Sequence, residues 1–306
     1  GVVVEAVGRS CYHRRPGART DLPLPSADRH LVPHVSRTGV VQRGLARRLT
    51  RVAAATIVVV AFGLRLPAPG LSPPGLYRDE AWNGTDAASI LAGDLRLYFP
   101  ANNGREPLFL YLTAPMVAVL GHTPEAVRLT SALVGTMGVA AAIALGWALF
   151  GPATGLLAGT WMAVAPWPVI LGRIGLRAGL LPLVLALAVT ATTRAARRGD
   201  RRWAALGGAL AGLTLYTYVA AWAGLALALS ALAWRVVTRR RPVVPRLAGT
   251  WAASAVAVSL PLVVTLAAQP GAGVGRLAQV ALAPTGTAPG AGPAALAAQL
   301  PSSLAR

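Results

Sequence analysis

From residue 49 onward the chain is a succession of apolar runs, each closed by arginine or by a short polar turn. The runs cover approximately residues 49–66, 107–120, 127–150, 155–171, 178–194, 203–217, 219–234 and 247–267. About 20 residues of helix cross the ~30 Å hydrocarbon core of a bilayer, because each residue rises ~1.5 Å. Inside lipid the backbone has to satisfy its own polar groups, which leaves helices and closed barrels. Barrel strands read as ~10-residue segments of alternating polarity, and the chain shows no such alternation. The pattern specifies an all-α, polytopic membrane protein. A hydrophobic share of 55% and a mean hydropathy of +0.55 agree.

All 29 basic side chains are arginine, against 10 acidic ones, for a formal charge of +19. Arginine in place of every lysine is what GC-rich coding produces. A nucleic-acid surface interleaves aromatic and basic residues on a soluble face. Here the arginines sit at the ends of apolar runs, so no nucleic-acid partner is expected. Cys11 is the single cysteine, which excludes an internal disulfide. Residues 1–48 are rich in Arg, Pro and His and lack an apolar period; a disordered basic tail is expected there. They have no signal-peptide apolar core. His30 and His34 are four residues apart, but Pro33 opposes a helix between them, so no metal site is expected. The chain starts at Gly1 and its first methionine is Met116. The expectation is either a piece of a longer protein or a chain translated from an uncertain start, with residues 268–306 opening a further external loop.

Charge orients the runs, since basic loops stay on the cytoplasmic side. Arg43, Arg47 and Arg48 precede the first run, and Arg51 lies at its start. Arg194, Arg197, Arg198, Arg201 and Arg202 make one cytoplasmic loop, and Arg235, Arg239, Arg240, Arg241 and Arg246 another. An even number of crossings separates two loops on one side, so residues 203–234 form a hairpin with Tyr216 and Tyr218 at its outer tip. Counting back places Gly151–Thr154 inside and Arg128, Arg173 and Arg177 outside. One run then fails to cross. Run 107–120 reaches only about 21 Å as a helix, so it is expected at the membrane boundary. The result is seven crossings within residues 49–267, with residues 67–126 as one long external loop. Gly155-x-x-x-Gly159 and Gly208-x-x-x-Gly212 are spaced for close helix approach.

Six of the ten acidic residues fall between Asp79 and Glu125. Two readings stand for Asp79, the first of an adjacent pair with Glu80. It is the N-cap of a helix running from Ala81 toward Leu91, with Glu80 in the first turn. Alternatively it is an ionised oxygen that takes a proton from an acceptor hydroxyl, as glycosyl or acyl transfer requires. The roles are compatible, because a capped carboxylate is held in place. Arg173 and Arg177 would share one face of a helix. They read as a cytoplasmic anchor if the crossing count shifts by one, and otherwise as a fork for an external phosphate. Tyr216 and Tyr218 read as interfacial aromatics or as contacts to a sugar or lipid headgroup. Arg105 and Glu106 read as a local ion pair, His122 as a loop residue, and Asn83-Gly84-Thr85 as a chance glycosylation pattern.

Five stretches together carry a resemblance: Arg78-Asp79-Glu80-Ala81, Gly104 to Tyr111, Val127 to Leu133, Arg173 to Ala178, and Gly212 to Tyr218. Over roughly residues 49–270 the chain resembles the GT-C glycosyltransferases that use polyprenyl-phosphate sugars, and within them glycosyltransferase family 39, with its protein O-mannosyltransferases and lipid A aminoarabinose transferases. The resemblance implies a seven-transmembrane-helix module whose long first external loop carries the acidic pair. It implies an inverting transfer of sugar from a polyprenyl-phosphate donor to a glycan, lipid or protein acceptor on the outer face of a bacterial plasma membrane. It makes Asp79 the general base or acceptor-orienting acid, and Glu80 its support or a ligand of a divalent metal where members use one. It gives Arg173, Arg177 and Arg128 to the donor phosphate, and Arg105, Glu106, Tyr216 and Tyr218 to the substrate. One departure stands out: relatives often carry arginine four residues after the second tyrosine, where this chain has Trp222.

Two other readings compete. A transporter or lipid flippase places ionisable groups near the bilayer midplane and uses internal repeats; the runs here lack acidic residues and show no repeat. An inactive remnant of a longer enzyme is the other.

Overall fold

The computed structural model describes residues 37–66, 74–102, 104–224 and 243–269. Residues 1–36 of the expected basic tail, the greater part of run 219–234 and nearly all of residues 268–306 lie outside these; residues 37–48, expected to be disordered, are helical. The chain divides into two units at Leu45 and Ala46, and the second unit holds the helix bundle.

Helix α1 (Arg37–Arg65) contributes its later turns to that unit. α2 (Arg78–Leu91) begins after an extended Tyr77 and holds Asp79 and Glu80 in its first turn, where the helix dipole favours anions. α3 (Leu108–Leu120) follows Pro107 and stops at Gly121, whose φ of 76° suits glycine. Its 13 residues reach about 20 Å, so run 107–120 is short of a span, as the charge pattern required. α4 (Pro124–Phe150) turns at Gly151 into α5 (Pro152–Val164) and α6 (Pro166–Arg173). A 3-10 turn at Arg177–Gly179 leads into α7 (Leu180–Arg198). Asp200 caps α8 (Arg201–Leu213) by accepting from the Arg202 amide at 2.8 Å. A 3-10 turn at Thr214–Tyr216 follows, and α9 (Val243–Ala267) comes last.

Among the described residues, α4, residues 177–198 and residues 245–267 are long and apolar enough to cross a bilayer. The expected run 155–171 is a broken element: α5 and α6 meet at an angle of 59°. α1 was expected to make the first crossing; Arg51 and Arg65 bound its apolar stretch, and it falls short of the same standard. The count of seven also takes in run 203–217, where α8 has 13 residues and is no longer than α3, and run 219–234, whose described part is too small to judge.

Apolar clusters connect the helices in chain order. Ala87, Phe99, Leu110 and Ala126 join α2, α3 and the start of α4. Phe109, Val134, Leu183 and Val184 join α3, α4 and α7. Ala188, Ala204, Ala211, Trp251 and Ala255 join α7, α8 and α9. The small residues act as their spacing implied. A Cβ on Gly155 would lie 2.6 Å from the Ile143 carbonyl of α4, and Gly208 and Gly212 face the carbonyls of Trp251 and Ala255 on α9.

The break after α5 has a specific support. Pro166 has no N–H to offer the Met162 carbonyl one turn back. The buried Arg65 side chain fills that role. Its Nη2 donates to Met162 (3.1 Å) and Pro168 (3.4 Å), and its Nη1 to Ala163 (3.3 Å) and Ala61 (2.8 Å). Gly135 and Gly172 leave room for the guanidinium; a Cβ on Gly172 would lie 2.7 Å from Arg65 Cδ. Arg65→Met is expected to destabilise the bundle by about 2–3 kcal/mol, the contribution of a charged donor to otherwise unpartnered carbonyls. Gly172→Ala is expected to act in the same direction. Because both changes disturb one contact, the double variant should lose less than the sum. Thermal unfolding in detergent of the four proteins checks this.

Candidate functional site

The polar residues of the long loop gather at the end of the bundle where α4 and α7 begin. Their foundation is Glu80, which is 0% exposed. One carboxylate oxygen accepts from Arg128 Nε (2.9 Å) and from the Gly175 amide (2.8 Å). The other accepts from Arg128 Nη2 (3.2 Å) and the Tyr77 amide (2.9 Å). Arg128 also donates to the Gly75 carbonyl. One carboxylate therefore ties the start of α2 to α4 and to the turn between α6 and α7. Asn83, one turn further along α2, donates to the Gly175 carbonyl at 2.8 Å. Gly175 is required there, since a Cβ would collide with Val127.

Two further ion pairs are built on this frame. Phe99 and Arg105 exchange both backbone hydrogen bonds (3.0 and 2.7 Å), closing the turn 99–105 over α2. The turn buries Arg105 completely, in an ion pair with Asp86 and 5.4 Å from the Trp82 ring centroid. Asp86 and Trp82 are four apart on α2 and so share a face. Next to Arg105, Glu106 pairs with Arg177 at 3.0 Å. Arg177 donates to the Gly104 carbonyl at 3.3 Å and lies 5.7 Å from the Tyr218 ring centroid. Gly104 has a φ of +80°, and a Cβ there would strike the Tyr98 hydroxyl.

Burial acts on the Asp86–Arg105 pair. It pushes the Asp86 carboxyl above the ordinary range, further than the Arg105 charge draws it down. It likewise lowers the Arg105 guanidinium, which Asp86 and Asp79 raise and Arg177 lowers. Arg105 thus feels the charges of both Asp79 and Arg177. Its Nη1 has no hydrogen-bond partner among the described residues.

Asp79 differs from the other carboxylates. It is exposed, forms no ion pair among the described residues, and accepts from Asn102 Nδ2 at 2.7 Å. Asn102 presents that amide from a left-handed backbone, with φ 51°. The arrangement is an accessible anion, held at one oxygen, beside buried guanidiniums.

Several expectations are revised by this geometry. Asp79 is not the N-cap: α2 starts at Arg78, and the preceding residue is Tyr77. Arg173 and Arg177 share no helix face, because Ile174 and Leu176 are extended between them. Arg173 donates to the Leu64 carbonyl of α1 at 3.0 Å. Arg105 and Glu106 are not paired with each other; each reaches a distant partner. Arg128 is 1% exposed and committed to Glu80. Tyr216 faces α9, where its hydroxyl donates to the Val258 carbonyl (2.7 Å) and accepts from the Leu262 amide (3.3 Å). Those are the groups an undisturbed helix joins directly. A divalent metal does not fit Glu80, whose two oxygens are already taken by a guanidinium and two amides. The sequence pattern did not single out Trp82, Asp86 and Asn102. Helical spacing from Asp79 through Trp82 to Asp86 was the available signal for the first two, and a turn between Pro100 and Gly104 for the third.

A family profile described as dolichyl-phosphate-mannose-protein mannosyltransferase matches residues 104–266, more than half of the chain. No curated protein matches it. Among solved structures, the chain is similar to ArnT from Cupriavidus metallidurans bound to undecaprenyl phosphate. The TM-score is 0.52 at 18% identity, over 77% of this chain and 42% of that one. At that identity the likeness concerns the fold, and the chain spans less than half of that relative's length. The profile match takes in Arg105, Glu106, Arg128, Arg173, Arg177, Tyr216 and Tyr218 but begins after Asp79 and Glu80.

Burial raises the Glu80 carboxyl, but Arg128 and the Gly175 and Tyr77 amides outweigh it, so its pKa lies below the ordinary value. A folded pKa below the unfolded one (about 4.3) stabilises above that pH, and the gain is lost as pH falls through the folded value. The wild type is therefore expected to unfold at higher temperature than Glu80→Gln at pH 7, with the gap closing below about pH 4. An equal gap at both pH values would show that ionised Glu80 is not what holds α2.

Proposed function

The chain belongs to the dolichyl-phosphate-mannose-protein mannosyltransferase family, and from that premise we propose that it is the membrane module of an inverting GT-C glycosyltransferase. It takes a sugar from a polyprenyl phosphate and passes it to a hydroxyl of a glycan, lipid or protein, at the outer face of a bacterial plasma membrane. The observation that supports this most is Asp79: the exposed carboxylate, without an ion pair among the described residues, of a site whose other carboxylates are each matched to an arginine.

In this reading the Asp79 oxygen not engaged by Asn102 receives the proton of the acceptor hydroxyl. The hydroxyl oxygen attacks the anomeric carbon from the side opposite the phosphate. The carbon–oxygen bond to phosphate breaks, its electron pair stays on the phosphate, and the sugar centre inverts. Arg105 and Arg177 face the developing charge. The buried Nη1 of Arg105 has no acceptor among the described residues, and a phosphate oxygen is one. Preorganised donors in a site shielded from water stabilise such charge far better than water does. Arg173, at the rim, adds to the same field, and Tyr218 backs Arg177. Glu80 and Arg128 position α2 and touch no reactant. The transporter reading finds less support: the ion pairs of the described residues collect at one end of the helices and not midway along them.

Asp79→Asn in the full-length protein is expected to lower sugar transfer from a labelled polyprenyl phosphate by about 10²–10⁴-fold, the usual contribution of a general base. Asn102→Ala should give a smaller loss in the same direction. Undiminished turnover of Asp79→Asn would remove it from the mechanism.

A further inference from the structure

The opposite end of the bundle carries a cluster of one charge sign. α7 closes with Arg194, Arg197 and Arg198, at spacings of three and four that place them on one face. With Trp147 and Ala148 of α4 they line a cavity of about 400 Å³. Arg194 and Arg198 lie 4.9 and 5.7 Å from the centroid of the same Trp203 ring. Arg197 Nη2 donates to the Leu149 carbonyl at 3.1 Å. Among the described residues no carboxylate pairs with any of the three; Asp94, Asp86, Glu80 and Glu106 pair elsewhere. Asp200, their neighbour in sequence, is engaged as the cap of α8.

A basic helix end has an ordinary explanation. Cations complement the C-terminal dipole and anchor a span on the cytoplasmic side. The bond from Arg197 to Leu149 belongs to that explanation. It leaves unexplained why three guanidiniums surround one cavity and two of them share one indole. Like charges so placed repel, and an anion between them relieves the repulsion while using their planar donors. The edge of the cavity adjoins apolar surface: Trp147, Leu149 and Phe150 are all exposed. Arginine around a headgroup beside an indole and hydrocarbon is the chemistry of a lipid phosphate at the membrane boundary.

We propose that this cavity binds a phosphate group, carried by an anionic phospholipid whose acyl chains lie over Trp147 and Phe150. Free inorganic phosphate is the other source of the same chemistry. The site is separate from Asp79 and does not depend on the transferase reading.

The test is thermal unfolding of the full chain in detergent, titrated separately with phosphatidylglycerol, phosphatidylcholine and inorganic phosphate. Phosphatidylglycerol is expected to raise the unfolding temperature and phosphatidylcholine is not. The Arg194→Gln, Arg198→Gln double variant should raise the half-saturating lipid concentration at least about tenfold, a change of about 1.4 kcal/mol. Arg198→Gln alone keeps the contact from Arg197 to Leu149 and gives a partial effect should the double variant misfold. Stabilisation by inorganic phosphate at matched concentration would keep the phosphate site and assign it to the free anion. Equal response to both lipids with none to phosphate, or an unaltered phosphatidylglycerol response in the variants, would overturn the proposal.

Discussion

A buried carboxylate organises one end of this protein. Glu80 joins three segments far apart in sequence: the start of α2, Arg128 on α4, and the turn at Gly175. Taking a carboxylate and a guanidinium out of water is costly, and removing one partner from such a pair typically costs about 3–5 kcal/mol. The charge is therefore a constraint as much as a source of stability. Once Glu80 is inside, α2 has a single register against α4, since sliding it would leave the carboxylate among apolar side chains. The positions of Trp82, Asn83 and Asp86 along α2 follow from that register.

This accounts for the inequality among the acidic residues. Glu80, Asp86 and Glu106 are each matched to one arginine. The pairs fix geometry and leave little net charge inside. Asp79 lies one residue from Glu80 but on another side of the helix, and there it meets water and Asn102. Adjacent residues on a helix point about 100° apart, so two neighbouring carboxylates readily serve different ends. One anchors the helix because it is buried, and the other remains available because it is not.

The sequence was legible where one chain property decides the outcome. Arginine placement grouped Arg128, Arg173 and Arg177 at one end, away from Arg194 and Arg197; run length marked α3 as short but missed α8, which has the same 13 residues. The contact from Arg197 to Leu149 places the Gly151 turn with the basic loop, as parity demanded. Partner choice was not legible. Arg105 and Glu106 are adjacent, yet in the extended segment after the 99–105 turn neighbouring side chains diverge, and each found a partner on another element. The four-residue spacing of Arg173 and Arg177 implied a helix that the extended backbone at Ile174 and Leu176 denies. Nor did the sequence disclose that Tyr216 would enter the hydrogen-bond ladder of α9 across Pro261, because that depends on where two separate helices meet.

Arginine, which this chain uses in place of every lysine, solves three different problems here. Arg65 supplies donors to carbonyls around a proline break. Arg128, Arg105 and Arg177 are neutralised by carboxylates inside the site. Arg194, Arg197 and Arg198 have no such carboxylates around their cavity among the described residues. The first two uses bury a guanidinium by giving its nitrogens fixed acceptors, which lysine's single ammonium would match poorly. The third leaves charge without a carboxylate partner among the described residues, in a short loop dense in arginine of the kind that the positive-inside rule counts. Among the described residues, then, one residue type closes a network of ion pairs at one end of the bundle and leaves open charge around a cavity at the other.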